Sequence, residues 1–259
     1  MAAECGPLVD VRVADGVGLL CLNDPSHRNA LSKRLSDDLA SAVTAALDDG
    51  ARALVLSAAP PVFCAGGSLE GLLRREVPLA AMYAGMERLA AAPVPTIAAV
   101  GGPAIGAGVN LPLACDIVIA TPAARFDPRF LDVGIHPGGG HLRRLAERVG
   151  AQGAAAMVLC GDLLTGEEAE RHGLAWRCVP AAELDAAALK LARKAAARSP
   201  ELVRRTKQSL RESLTVSFAE AVALELAAQE WSVGRPEFAE TVQRVQRELQ
   251  NRSGRRGQS

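Results

Sequence analysis

The residues best suited to chemistry form a glycine-rich loop near the middle of the chain. Four glycines follow the apolar run Thr96–Val100, which predicts a buried strand. They are Gly101, Gly102, Gly106 and Gly108. A loop that leaves a strand and enters a helix presents main-chain N–H groups without partners, and such groups bind a phosphate or a developing oxyanion. Tight packing of helix against sheet is the alternative role for these glycines.

Three familiar motifs fail at the glycine-bearing loops. The dinucleotide fingerprint G-x-G-x-x-G could begin at Gly106, but its third glycine falls on Leu111. The Gly-Lys-Ser/Thr of a P-loop does not occur. A second loop, Pro60–Gly71, places Ser68 after two glycines, but the hydrolase motif G-x-S-x-G ends on Glu70. The sequence therefore disfavours a nucleotide-binding fingerprint and a serine hydrolase.

The elements that position these loops alternate between strands and helices. Alternating valines predict a strand over Val9–Val13, and Asp15-Gly16 predicts a turn into the strand Val17–Leu22. Ser32 is the predicted cap of a helix with an apolar stripe at four-residue spacing. Further strands are predicted at Ala53–Leu56, Ile117–Ala120 and Trp176–Val179, and further helices at Ala80–Ala91, after Gly140, from Thr165 to His172 and at Glu183–Arg198.

The alternation stops near residue 200, where we place a domain boundary. Beyond it the sequence predicts three helices and no strand, at Glu201–Leu214, Phe218–Val233 and Pro236–Leu249. The tail Asn251–Ser259 is rich in Arg, Gly and Ser, which predicts disorder. The predicted organisation is a core over residues 1–200, a helical region over residues 201–250 and a tail over residues 251–259.

Composition excludes several classes of protein. Hydrophobic residues make up 49% of the 259 residues, enough for a large core, and 29 basic residues balance 29 acidic ones. The zero net charge argues against binding to nucleic acid or to a membrane surface. No apolar run is long enough to span a membrane, and Met1–Asp10 lacks the pattern of a signal peptide. Six scattered cysteines without C-x-x-C predict reduced thiols in a cytoplasmic protein and no zinc site.

Five segments together resemble the crotonase, or enoyl-CoA hydratase/isomerase, superfamily. They are Pro25…Arg28-Asn-Ala-Leu, Phe63-Cys-Ala-Gly-Gly-Ser-Leu-Glu, Gly102-Pro-Ala-Ile-Gly-Ala-Gly-Val-Asn-Leu…Ala-Cys-Asp116, Ala124-Arg-Phe…Gly134…Pro137-Gly-Gly-Gly, and the three-helix end. The resemblance covers essentially the whole chain, and the order and spacing of the segments make it specific. It implies an α/β fold, a spiral of repeated β-β-α units, with C-terminal helices that build homotrimers or dimers of trimers.

The resemblance also implies an acyl-CoA thioester as substrate, with no metal and no cofactor apart from the coenzyme A of the substrate. Two main-chain amides would stabilise the enolate-like oxyanion of the thioester, and by motif position these belong to Gly67 and Ala107. Arg28 and Ala30 would lie near the nucleotide, and Ala65–Glu70 would wall the adenine and pantetheine. The implied binding residues are Arg28, Ala30, Ala65, Gly67, Ser68, Leu69, Glu70, Gly106 and Ala107.

The sequence departs from the family at its acid–base positions. Enoyl-CoA hydratases carry two glutamates that position and split a water molecule. By motif the first falls on Asn110 and the second on Phe130, and neither transfers protons near neutral pH, although Asn110 can still hydrogen-bond a water. General acid–base catalysis contributes about 10²–10⁴-fold, so we expect hydration through these positions to be severely weakened.

Four titratable side chains near these positions are candidate substitutes for the glutamates: Asp127, Asp132, His136 and His141. In an extended segment Asp132 would share the face of Phe130, and a histidine titrates near neutral pH. We therefore expect Asp132 or His136 to act as acid or base. Two functions stay open. One is an acyl-CoA-processing enzyme, nominally an enoyl-CoA hydratase or isomerase of fatty-acid metabolism. The other is a catalytically silent acyl-CoA-binding protein.

Overall fold

The computed structural model describes residues 6–74 and 77–256, with side chains as far as residue 249. Cys5 and the start of the Met1–Asp10 segment lie outside the described residues. The strands are β1 (Val9–Ala14), β2 (Val17–Leu22), β3 (Ala53–Ala58), β4 (Thr96–Val100), β5 (Pro103–Ile105), β6 (Ile117–Ala120), β7 (Arg125–Asp127), β8 (Leu164–Thr165) and β9 (Arg177–Cys178). The helices are α1 (Lys33–Asp48), α2 (Leu69–Arg74), α3 (Leu79–Met82), α4 (Ala84–Ala90), α5 (Asn110–Ala114), α6 (His141–Leu159), α7 (Gly166–Arg171), α8 (Leu184–Ala196), α9 (Pro200–Ser213), α10 (Phe218–Val233) and α11 (Pro236–Arg256).

The larger sheet contains six strands in the order β1-β2-β3-β4-β6-β9. Its first two strands form the predicted antiparallel hairpin, with Asp15 and Gly16 at positive φ in the turn. All later neighbours pair in parallel. β5, β7 and β8 form a second sheet of three strands. Successive strands of the larger sheet lie side by side in chain order, so the chain advances along that sheet as it winds.

Helix α1 follows the sequence prediction closely. Its cap is Ser32, whose side-chain oxygen accepts a hydrogen bond from the Leu35 amide at 3.1 Å. The stripe residues Leu35, Leu39 and Val43 are buried in the main core. The four-residue spacing therefore marks the face that packs inward, as the periodicity of a helix requires.

Two predicted segments differ from the structure. The helix predicted at Ala80–Ala91 is interrupted at Tyr83, which separates α3 from α4. The sequence predicts disorder from Asn251, whereas α11 continues to Arg256. Helices propagate from turns already formed, so the preceding turns of α11 favour this extension. Residues 257–259 lie outside the described residues.

The chain divides into two compact units between Arg198 and Ser199. The first unit contains both sheets and α1–α8, and the second contains α9–α11. Within the second unit, the Arg205 guanidinium lies 4.1 Å from the centre of the Trp231 ring and links α9 to α10. Across residues 6–74 and 77–256, no helix has both the length and the apolar character needed to cross a membrane.

Candidate active site

The central glycine loop lies directly against the Phe63–Gly67 loop. The Cys64 amide donates to the Pro103 carbonyl at 3.1 Å, and the Ile105 amide donates to the Cys64 carbonyl at 2.9 Å. A methyl group on Gly108 would lie 2.4 Å from the Cys64 carbonyl oxygen. Only glycine permits this approach, so Gly108 has the packing role that the sequence left open.

The amides of Gly67 and Ala107 donate no hydrogen bond within residues 6–74 and 77–256. The Leu31 amide donates to the Gly66 carbonyl and the Ser68 amide donates to the Leu31 carbonyl, at 2.7 and 3.0 Å. This parallel bridge uses the groups that flank Gly67, so the Gly67 amide faces away from Leu31. Ala107 lies in the first turn of the 3-10 helix Gly106–Val109, where amides have no intrahelical partner.

Both of these residues line one cavity of about 860 Å³. Of the residues that the resemblance implies for binding, six lie on its wall: Arg28, Ala65, Gly67, Leu69, Gly106 and Ala107. Three others, Ala30, Ser68 and Glu70, do not line it. The remaining wall is largely apolar, with leucine and methionine side chains from α2 and α3 together with Leu31, Ile105 and Ile135. A cavity of this size, apolar with a few polar groups, suits a small-molecule ligand.

Asn110 is fully buried, and each of its two side-chain polar atoms forms a hydrogen bond within the protein. Its Nδ2 donates to the Gly138 carbonyl at 3.0 Å, and its Oδ1 lies 2.7 Å from His141 Nδ1. A carbonyl oxygen accepts only, so Oδ1 of Asn110 faces His141, and Nδ1 of His141 carries the proton. Asn110 does not line the cavity, and its two hydrogen bonds hold the amide between Gly138 and His141.

His141 lies behind both of the positions that carry glutamate in hydratases. Its ring packs edge-on against Phe130 with centroids 4.9 Å apart, while its Nδ1 bonds Asn110. Its Nε2 is buried and has no partner among the described residues. Burial away from water lowers the pKa of His141 to about 4, because the charged imidazolium is disfavoured there. His141 is therefore neutral at physiological pH.

We expect this histidine to make the protein sensitive to acid. The pKa of His141 is about 4 in the folded chain against 6.5 for an ordinary histidine, so the unfolded chain binds more protons between these values. The free energy of unfolding should therefore fall by about 3 kcal/mol on acidification through this window. Urea unfolding at pH 7 and pH 4 measures this fall. His141→Gln removes the titrating group and should remove most of the fall.

His172→Gln is the matched control, since His172 is exposed on the surface. This variant should keep the pH dependence of the wild type. Equal pH dependence in His141→Gln and in the wild type would contradict the assignment.

Asp132 and Asp127 do not reach the cavity. Phe130 has helical backbone angles and leads into a 3-10 turn, Leu131–Val133, so the extended segment expected here is wrong. Residues two apart in such a turn do not share a face, and Asp132 is exposed and absent from the cavity wall. Asp127 is buried and accepts a hydrogen bond from Arg129 Nε at 2.9 Å, a bond that raises the pKa of Arg129.

His136 is the one of the four candidates that lines the cavity. Its Nδ1 lies 2.7 Å from the Pro137 carbonyl oxygen. Because a carbonyl only accepts, Nδ1 carries the proton in this contact, and the lone pair of the neutral ring is on Nε2. Phe130 also lines the cavity, where it presents an apolar surface.

Tyr83 lines the same cavity and was not singled out by the sequence analysis. It is the only tyrosine of the chain and lies at the break between α3 and α4. The sequence around Tyr83 predicts an unbroken helix, Ala80–Ala91, and nothing in that pattern indicates that its side chain lines a cavity. Only the break in the helix places its ring beside Gly138 and Gly139.

Comparison with known sequences gives a consistent result. A family model described as enoyl-CoA hydratase/isomerase matches residues 12–248. The chain is 40% identical over 235 residues to a probable enoyl-CoA hydratase of Mycobacterium tuberculosis. The aligned segment covers 86% of this chain and 91% of that protein. It is 37% identical over 213 residues to the 2,3-dehydroadipyl-CoA hydratase of Escherichia coli, covering 80% and 83% of the two chains.

Solved structures show the same similarity. The crystal structure of human enoyl coenzyme A hydratase domain-containing protein 3 matches with a TM-score of 0.87 and 27% identity, over 93% of this chain and 98% of that one. The enoyl-CoA hydratase structure from Bacillus anthracis matches with a TM-score of 0.86 and 27% identity, over 93% and 96% of the two chains.

Proposed function

The chain belongs to the enoyl-CoA hydratase/isomerase family and has the crotonase fold expected of it, and from this premise we propose that it is an enzyme acting on an acyl-CoA thioester. The thioester carbonyl binds at the amides of Gly67 and Ala107, which stabilise the enolate-like oxyanion. The acyl group lies in the apolar part of the cavity. Arg28, on the wall beside Ala65, contacts the nucleotide end of coenzyme A.

The observation that carries this proposal is the pair of amides, without a partner among the described residues, on the wall of one cavity. Preorganised N–H groups in a site shielded from water stabilise developing negative charge more strongly than water does. They also cost no reorganisation when the charge appears. This arrangement suits any reaction that passes through a thioester enolate, and it therefore supports acyl-CoA chemistry of that class.

His136 supplies the acid–base group in this proposal. Asn110 is held by His141 and Gly138, and Phe130 cannot transfer a proton. His136 lies on the cavity wall with Nδ1 occupied by Pro137, so its Nε2 is available to take a proton from the substrate side. The resulting acid–base set differs from the pair of glutamates of ordinary hydratases.

A catalytically silent acyl-CoA-binding protein is the second candidate. It is favoured by the closed contacts around Asn110 and by the apolar Phe130 at the second glutamate position. The two candidates share the cavity and the binding of coenzyme A thioesters. They differ in turnover.

Two measurements on the purified protein distinguish these candidates. Calorimetric titration with butyryl-CoA should show saturable binding. Assays for hydration, double-bond isomerisation, thioester hydrolysis and decarboxylation, each with a short acyl-CoA, should show turnover in at least one. Hydration of crotonyl-CoA should be far slower than the turnover of good enzymes, which is typically about 10–10³ per second.

Each contrary outcome has a distinct meaning. Binding without turnover in every assay favours the silent protein. No binding contradicts the assignment of the cavity to acyl-CoA. Hydration of crotonyl-CoA at a typical enzyme rate contradicts the role given to Asn110 and Phe130.

The assembly expected from the resemblance is also part of the proposal. A homotrimer or a dimer of trimers would cover apolar side chains that the second unit leaves open, including Phe218 and Leu226 on α10, which are 87% and 52% exposed. Large apolar patches of this kind are typical of protein–protein contact surfaces. A cytoplasmic location stays a prediction from the cysteine content.

A further inference from the structure

The short segment that carries His136 is anchored by a hydrogen bond on each side. The first anchor is the bond from the Ile135 amide to the Phe130 carbonyl, at 3.0 Å. The second anchor is the bond from Asn110 Nδ2 to the Gly138 carbonyl, also at 3.0 Å. At most one residue separates His136 from either anchor, so the place of its ring on the cavity wall depends on where the two anchors lie.

His141 contacts both anchors, although it does not line the cavity. Its ring packs edge-on against Phe130, with the ring centroids 4.9 Å apart. Its amide donates to the Gly138 carbonyl at 3.4 Å, and its Nδ1 donates to Asn110 Oδ1 at 2.7 Å. Together with the bond from Asn110 to Gly138, these contacts close a ring of three hydrogen bonds. Hydrogen bonds in such a buried network support one another, so loss of one weakens the others.

The Nδ1–H of His141 determines which way the Asn110 amide points. A side-chain amide can turn over and exchange the places of its oxygen and its nitrogen. The donor on His141 holds Oδ1 on its own side, and this leaves Nδ2 to donate to Gly138. With Oδ1 turned toward the Gly138 carbonyl, two acceptors would meet and the second anchor would be lost. The second anchor therefore depends on His141.

Asn110 connects this ring of hydrogen bonds to the proposed oxyanion donor. Its main-chain amide donates to the Ala107 carbonyl, so Asn110 ends the 3-10 helix that presents the Ala107 amide. Asn110 is also the first residue of α5, and every residue of α5 is buried. Its side chain therefore extends from a buried part of the chain beside Ala107 to the segment that carries His136.

We propose that His141 is a positioning residue, which holds the His136 imidazole through Asn110 at a fixed place relative to the Ala107 amide. This inference rests on the proposed function, which assigns proton transfer to His136 and the oxyanion to Ala107. Both groups must reach the same substrate at once, and a misplacement of about 1 Å can lower a rate by about 10²-fold. His141 itself touches no substrate, because it lies behind the wall.

His141→Phe and His141→Asn form a matched pair of variants that tests this inference. Phenylalanine keeps a ring against Phe130 and removes the donor to Asn110, whereas asparagine loses the ring and keeps an N–H donor near the place of Nδ1. With the acyl-CoA that the wild type turns over, we expect His141→Phe to lower kcat by about 10- to 100-fold and His141→Asn by less than about fivefold. A side chain that only filled space would give the opposite order.

The double variant His136→Gln/His141→Phe tests whether His141 acts through His136. Once the positioned group is gone, the substitution at 141 should lower kcat by less than about a further twofold. Asn110→Ala removes the same hydrogen bond from its other end, and it should show the same dependence on His136. Asn110→Ala therefore carries the test if His141→Phe does not fold, which circular dichroism and thermal melting of each variant determine.

Calorimetric titration with butyryl-CoA separates positioning from loss of the cavity. The dissociation constant should stay within about twofold of the wild type in both His141 variants, since neither substitution reaches the wall. A His141→Phe variant that is no slower than His141→Asn, or that is slowed equally with and without His136, overturns the inference and leaves the proposed function intact. A wild type without turnover in any of the four assays contradicts the proposed enzyme, and the inference falls with it.

Discussion

Replacing the Ala107 amide with an ester should lower turnover of the acyl-CoA substrate by about 10²–10³-fold. The α-hydroxy acid analogue of alanine, inserted at position 107, removes the N–H and keeps the methyl side chain. The expected loss is that of one oxyanion-hole donor. The helix itself is spared, since an amide in the first turn of a 3-10 helix has no intrahelical partner. Steady-state kinetics measure the effect, which should fall mainly on kcat.

The same ester at Ala181 is a matched control. Ala181 is an exposed alanine in the first position of another 3-10 helix, Ala181–Glu183, and does not line the cavity. An ester carbonyl is a weaker hydrogen-bond acceptor than an amide carbonyl, and this effect is the same at both positions. A difference in turnover between the two esters therefore reports the loss of the N–H at position 107. Equal turnover by the two esters would show that Ala107 does not stabilise the oxyanion.

His136→Gln should lower turnover by about 10²-fold or more. Glutamine keeps a hydrogen-bonding group in place of the imidazole but cannot accept a proton from the substrate. Steady-state kinetics on the acyl-CoA substrate measure the loss, which should fall on kcat. Binding of butyryl-CoA should change little, which separates loss of chemistry from loss of the site.

Asp132→Asn is the comparison that gives this result its meaning. Asp132 was the other candidate from the sequence, but it is exposed and off the cavity wall. We expect its substitution to change turnover by less than about threefold. A large loss in Asp132→Asn with none in His136→Gln would reverse the assignment.

Local patterns predicted much of the fold. Ser32 and the stripe after it identified α1 because capping and helical periodicity are properties of a few neighbouring residues. Thr165 and Glu168 identified α7 in the same way, and both hydrogen bonds of that capping box are present. The strand order of the larger sheet is not readable from local patterns, since strand pairing depends on residues far apart in the chain.

The polar contacts of the site were less accessible to sequence reasoning. The hydrogen bond between Asn110 and His141 joins residues that are 31 positions apart in the chain. Nothing in the local sequence of either residue indicates this bond. An extended segment would put Asp132 on the face of Phe130, whereas the chain turns there and ends the turn on Gly134 at φ 70°. Tyr83 lies at the break between α3 and α4, and no local sequence signal marks that break.

The hydrogen bonds of Asn110 bear on what a glutamate at position 110 would do. A glutamate at 110 would lose the donor that now serves the Gly138 carbonyl and would place a carboxylate oxygen against that carbonyl. The same carboxylate would draw a proton onto His141 and form an ion pair away from the substrate. We therefore expect an Asn110→Glu substitution made alone to form an ion pair with His141, and a second substitution at 138 or 141 to be needed before that carboxylate could face the cavity.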